Sequence, residues 1–213
     1  LLHNVFKKGQ TVLFQGDSVT DAGRDYTDPG SLGPGYASKI AQIYSALFPG
    51  NGVTFINRGV SGNRSRDLLT RYDKDFKEVC PDFISILIGI NDTWRRFDRD
   101  DPTTSQQFEA NYRELLTRCK TDLPQAKIML IEPFVLPTLP DRAAWRVDLD
   151  PKIHVVRELA SEFADYYLPL DGIFASLAVR QYTCAEITED GVHPTQTGHG
   201  IIAYEYLKLL GVL

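Results

Sequence analysis

The chain has 213 residues, 43% of them hydrophobic and 24% charged, and its 28 acidic and 23 basic side chains leave a net charge of −5. Those proportions fit one folded domain spanning 1–213 and argue against a disordered chain or a basic nucleic-acid binder. The longest apolar run, at 83–88, is strand-sized and far short of the ~20 residues of a membrane span, so no membrane partner is expected.

In chain order, 11–15 reads as a first strand, followed by a helix over 36–47 with Ile40, Ile43, Tyr44 and Leu47 on one face. A second strand is expected at 53–57 and a second helix at 66–76, where Leu68, Leu69, Tyr72 and Phe76 recur about once per turn. The run at 83–88 is apolar at nearly every position, as a central parallel strand covered on both faces must be. A helix over 104–119, a strand at 127–131 ended by Pro133, and a helix over 151–163 with Pro151 in its first turn come next. A short strand at 166–170 and helices over 172–181 and 197–210 complete the chain. Strands alternating with helices imply a three-layer α/β fold, and five strands suggest a flavodoxin-like doubly wound parallel sheet. The segment 134–150 is long for a connection and is either a substrate-facing loop or a surface excursion.

Cys80, Cys119 and Cys184 are odd in number and show no C-x-x-C spacing, which suggests neither a disulfide framework nor a zinc site. Buried thiols in a reducing compartment are the expectation, hence a cytoplasmic location. A removed leader stays open, because the first residue is Leu1 rather than Met.

Ligands of open parallel sheets bind beyond the carboxyl ends of the strands. The first three strands run into Gly16-Asp17-Ser18-Val19-Thr20-Asp21, Arg58-Gly59-Val60-Ser61-Gly62-Asn63 and Gly89-Ile90-Asn91-Asp92. Each is ordinary turn chemistry by itself, but three in succession deliver hydroxyl, amide and carboxylate groups to one edge. Near the other end, Thr188-Glu189-Asp190-Gly191-Val192-His193-Pro194 sets Asp190 three residues before His193. A carboxylate so placed can orient one imidazole nitrogen and leave the other as a base for a serine, here Ser18. The plainer reading makes Ser18 a helix cap and His193 a satisfied loop histidine. His3 and His154 read as surface or packing residues, and His199 as a structural group at the start of the last helix.

These four blocks, in this order, resemble the SGNH (GDSL) hydrolases, serine esterases on a flavodoxin-like fold, over roughly residues 11–210. Gly16-Asp17-Ser18-Val19 has Val where the family usually has Leu, an apolar-for-apolar exchange. The resemblance implies that Ser18 is the nucleophile and that Asp190 and His193 complete a triad. It also implies an oxyanion hole formed by the Ser18 amide, the Gly62 amide and the Asn91 side chain. Thr93-Trp94-Arg95 and the glycine-rich stretch from Gly30 to Gly35 look like the acetylxylan-esterase-like carbohydrate esterase branch.

The expected function is therefore hydrolysis of small acyl esters, acetyl above all, on carbohydrate. Trp94 and Arg95 are candidate substrate contacts, since an indole stacks on a sugar ring and a guanidinium bonds hydroxyls. Their plainer reading is a packed aromatic beside solvated charge. The alternative within the family is a lysophospholipase or thioesterase. An alternative from another class is a non-catalytic binder of a nucleotide or other small ligand. No G-x-x-x-x-G-K-[ST] is present, and Gly30, Gly33 and Gly35 reverse the G-x-G-x-x-G order and come after no strand. No cofactor is expected and no metal, since H-E-x-x-H is absent. The expected partner is a small ester, with self-assembly left open.

Overall fold

The structure, a computed structural model, describes residues 3–213. β1 (Thr11–Gly16) runs into α1 (Ser18–Asp21), and after an irregular loop α2 (Tyr36–Leu47) leads to β2 (Thr54–Asn57). Next come α3 (Ser65–Thr70), a π turn (Asp73–Lys77), β3 (Phe83–Leu87), α4 (Ile90–Asp98), α5 (Ser105–Asp122) and β4 (Lys127–Ile131). A 3-10 turn (Arg142–Trp145), α6 (Arg146–Phe163), β5 (Tyr166–Leu168), α7 (Leu170–Arg180), α8 (Cys184–Ile187) and α9 (Gln196–Leu209) complete the order. The sheet runs β2-β1-β3-β4-β5 with every pairing parallel, which is the flavodoxin-like doubly wound arrangement.

Side-chain alternation along the strands divides the core in two. Val12 and Phe14 of β1, Phe83 and Leu87 of β3, and Met129 and Ile131 of β4 pack on one face with Ile40 and Tyr44 of α2 and Ile202 and Tyr206 of α9. Leu13, Ile84, Ile86, Ile128 and Leu130 pack on the other with Leu68 of α3, Tyr112 and Leu116 of α5, and Leu159 of α6. Both faces of the central strands are thus covered, which is why β3 shows no polar alternation.

Several boundaries differ from the sequence reading for identifiable reasons. The helix expected at 66–76 ends at Thr70 and resumes as the π turn, where the Asp75 carbonyl accepts the buried Gln15 side-chain amide at 2.8 Å. α4 has no counterpart in the sequence reading because its inward face carries Asn91, Asp92 and Thr93, all buried and all polar. Periodicity of apolar residues is blind to such a helix. α6 begins at Arg146, five residues before Pro151. Its first turns are tied down by Arg146 to Asp171 and Asp150, and by Asp148 to Arg96 and Lys152. Pro151 there forfeits one helical hydrogen bond near the helix start. Of the three thiols expected to be buried, Cys119 is, Cys184 is half-buried and Cys80 is exposed. Among the described residues no helix is long and apolar enough to cross a membrane.

The segment 134–150 packs inward and supports the loop before α9. Phe134, Val135 and Leu136 are buried, the Leu136 amide donates to Gly191 O at 2.9 Å, and Arg142 Nε donates to Asp190 O at 2.8 Å.

The loop after β2 lies directly on α1. A methyl group on Gly59 would sit 2.3 Å from the Asp21 amide nitrogen and 2.8 Å from the Thr20 carbonyl carbon. Gly59→Ala is expected to cost about 1–3 kcal/mol through overpacking. A lowered urea midpoint with an unchanged slope is the expected readout, and a wild-type midpoint would contradict this packing.

Candidate active site

Ser18 opens α1 immediately beyond β1. Asp17 caps that short helix, with Oδ1 accepting the Val19 amide at 3.0 Å. His193 lies between β-bridge partners Thr188 and Pro194, just before α9. Its Nε2 stands 2.9 Å from Ser18 Oγ across 175 residues of sequence, and its Nδ1 stands 2.9 Å from Asp190 Oδ2. The other Asp190 oxygen accepts the Val192 and His193 amides at 2.9 and 2.8 Å. Burial works to raise the Asp190 pKa, but the His193 ring and these two amides hold it well below the usual carboxylate range. The bond to Asp190 raises the His193 pKa above its ordinary 6.5 against the opposing effect of burial, and the charges of Asp190, Asp17 and Glu189 add to the rise. An ionised carboxylate on Nδ1 fixes the tautomer with Nε2 free to take a proton from Ser18.

The three strand-end loops are tied together by buried polar side chains. Asn57 accepts the Gly59 amide at 2.8 Å and donates to Thr20 O at 2.7 Å and Leu32 O at 2.9 Å. Asp21 Oδ2 accepts the Ser61 amide at 3.1 Å, the Ser61 hydroxyl at 2.5 Å and the Tyr26 hydroxyl at 2.5 Å. Arg71 donates to Gly16 O at 3.2 Å, Arg58 O at 2.8 Å and Asn63 Oδ1 at 2.8 Å. Asp92 accepts the Ser65 amide and hydroxyl at 3.0 and 2.7 Å. Sequence reasoning assigned no role to Asp21, Arg71 or Asp92 as ties, and no local pattern announces one.

Gly62 turns the second loop with φ +83°, a left-handed conformation suited to glycine. Among the described residues neither the Gly62 nor the Ser18 amide donates to a protein group. Asn91, in the first turn of α4, gives one N–H to Asn63 O at 3.2 Å, while its Oδ1 accepts Arg95 Nη2 at 3.0 Å. With the amide oxygen occupied, the second N–H remains a free donor. Arg95, itself paired with Asp98, therefore clamps Asn91. Trp94 lies beside the His193 ring with centroids 5.8 Å apart, and packs on Trp145 at 5.1 Å with Arg142 over its face at 5.2 Å. The cavity holding Ser18 and His193, about 370 Å³, is bounded by Ala22, Gly23, Pro34, Ser61, Glu189 and His199, among others. Trp94 and Arg95 do not line it. No group of three residues suited to hold a metal occurs among the described residues.

Such an arrangement can attack a carbonyl carbon with a serine oxygen while moving its proton to a neighbouring imidazole, with uncharged donors nearby for an oxyanion. Asp17, enclosed beside Ser18, behaves unlike Asp190: burial pushes its pKa up to about 7, with the Val19 amide opposing. The unfolded chain releases this proton near 3.8 and the folded chain near 7, so the stability contribution falls as pH rises through that interval and stays low above it. Asp17→Asn, which keeps an acceptor for the Val19 amide, should raise the thermal midpoint over wild type at pH 8 and little at pH 4. An equal gain at both pH values would refute this account of Asp17.

Known proteins resemble the chain over nearly its whole length. The model of the GDSL-like lipase/acylhydrolase family matches residues 14–201. An acetylxylan esterase from Geobacillus stearothermophilus is 33% identical over 212 residues, covering 95% of this chain and 94% of the relative. A crystal structure described as a GDSL-like lipase from Parabacteroides merdae superposes with a TM-score of 0.92 at 32% identity, covering 98% of each chain. A structure of the Geobacillus acetylxylan esterase superposes with a TM-score of 0.87 at 31% identity, covering 97% of this chain and 96% of the other. Its catalytic mutants replace a serine, an aspartate and a histidine by alanine. The chain belongs to the GDSL-like lipase/acylhydrolase family and is a carboxylic ester hydrolase.

Proposed function

We propose that the chain is a serine esterase that removes small acyl groups, acetyl in particular, from carbohydrate hydroxyls through an acyl-enzyme on Ser18. The observation that carries this reading is the pair of 2.9 Å contacts running from Ser18 through His193 to Asp190. The acetylxylan esterase activity named for a relative that covers nearly the whole chain supports the acetyl and carbohydrate parts.

In this reading Ser18 Oγ attacks the ester carbonyl as His193 Nε2 takes its proton, and Asp190 stabilises the imidazolium. The free amides of Ser18 and Gly62 and the second N–H of Asn91 meet the oxyanion. Loss of one such donor typically costs ~10²–10³ in kcat. Collapse of the tetrahedral intermediate returns the proton to the departing alcohol. Water, deprotonated by His193, then releases the acid from Ser18.

Ser18→Ala is expected to abolish hydrolysis of 4-nitrophenyl acetate, and the wild type to turn over the acetate faster than the butyrate and octanoate. Activity retained by the variant rejects the nucleophile, and a preference for octanoate rejects the acetyl assignment. Acetate release from acetylated xylo-oligosaccharides, followed by NMR, tests the carbohydrate part.

The direction of the His193 shift sets the pH dependence. The base must be neutral, so kcat/KM should fall on the acid side with a midpoint above 6.5. Asp190→Asn removes the charge that favours the imidazolium. It should move that midpoint down and lower kcat by about 10⁴. A midpoint unmoved in Asp190→Asn would separate Asp190 from the base.

A further inference from the structure

We infer that the cavity beside Ser18 is the subsite for the alcohol half of the ester, that His199 is its buried hydrogen-bond donor, and that the alcohol it accepts is polyhydroxylated. This rests on the reading of Ser18 as the nucleophile and adds a residue that the proposed reaction does not otherwise use.

His199 is 6% exposed, sits in the first turn of α9 and borders the same cavity as Ser18 and His193. Its Nδ1 accepts the Tyr36 amide at 3.2 Å, which puts the ring proton on Nε2. The Nδ1–Cε1 edge is turned to the α2 side, where a methyl on Gly35 would stand 3.0 Å from Cε1 and 3.2 Å from Nδ1. Nε2 is on the remaining edge, and among the described residues it bonds to no protein group. It is equally absent from the buried polar atoms that lack both a partner and solvent contact. The Nε2–H therefore keeps solvent contact in a residue that lines the cavity, and we read the cavity as the place of that contact.

The rest of the lining suits hydroxyl groups. Glu189 and Gln196 are exposed at the rim, and the Glu189 carboxylate makes no ion pair among the described residues. Ser61 Oγ has spent its proton on Asp21 and is left as an acceptor. Only Ala22, Pro34 and Pro194 offer apolar contact among side chains larger than glycine. A fatty alcohol or a long acyl chain would find little surface there to bury, whereas a hydroxylated ring can both donate and accept. Burial and the charges of Lys39 and His193 bring the His199 pKa down to about 4, so the donor stays neutral wherever His193 can act as a base.

The test compares two acetate esters on the same enzymes: monoacetylated methyl β-xyloside, whose leaving alcohol carries hydroxyls, and 4-nitrophenyl acetate, whose leaving group carries none. His199→Phe should raise KM about tenfold for the xyloside ester, the loss expected of one hydrogen bond. KM for 4-nitrophenyl acetate should stay within about twofold, by the same reasoning. His199→Gln, which restores an amide N–H, should recover part of the xyloside KM. Because KM does not depend on the fraction of protein folded, a folding defect in the Phe variant does not imitate the result, and the Gln variant carries the same comparison if the Phe variant is not recovered. Equal changes for both esters, or none for either, would overturn the assignment. Ser18→Ala is read on 4-nitrophenyl acetate alone, so failure of the nucleophile is seen independently of His199.

Discussion

A 2.9 Å contact between a serine near one end of the chain and a histidine near the other is meaningful only if the two loops that carry them cannot drift. The constraint that prevents drift is the set of buried polar side chains binding each loop to its neighbours. Asn57, Asp21 and Asp92 are each at most 2% exposed, and each satisfies backbone groups of a different loop. Burying such groups is unfavourable unless every partner is in place, and the loss of one leaves several backbone groups stranded. The same requirement that makes these groups costly makes the loop geometry nearly all-or-none. Arg71 extends the arrangement from Gly16 to Asn63 and thereby joins the end of β1 to the turn holding Gly62.

Two carboxylates near one imidazole end up with opposite character through their surroundings. Asp190 receives three N–H donors and stays ionised, while Asp17 receives the Val19 amide, is enclosed, and retains its proton to a much higher pH. Asp17 titrates near 7, so its charge grows as His193 becomes neutral and adds to that of Asp190 in raising the His193 pKa.

The sheet, its parallel pairing and most helix positions were legible because apolar periodicity reports burial: β3 lies where the pattern puts it, and Ile40 and Tyr44 of α2 face the core, whereas Ile43, expected on the same face, is exposed and Leu47 only half-buried. The juxtaposition of Ser18, His193 and Asp190 was legible from their residue types and the Asp-x-x-His spacing, with the strand-end rule giving a location for Ser18 alone, and their roles belong to the proposed reaction. What stayed illegible is polar and long-range. Asp21 looks like any turn aspartate until Ser61 and Tyr26 fold onto it. His199 reads as a structural residue because nothing adjacent in sequence reveals that Tyr36, 163 positions away, takes one nitrogen and leaves the other. Arg95 is adjacent to Trp94 and suggests a substrate contact, yet one helical turn puts it against Asn91 instead.

That last displacement changes what Trp94 does. With Arg142 and Arg95 near its faces and Trp145 behind, the indole is a wall along one side of the His193 ring. In the proposed reaction the imidazole must face Ser18, then the leaving oxygen, then water, without rotating out of reach. Asp190 fixes its tilt from one edge, and the indole limits its swing from the side. In that reaction the cavity bordered by His199 and Glu189 would supply the space for the ester. In the proposed reaction aromatic packing would thus serve His193, and recognition of the alcohol would fall to the polar groups around that cavity.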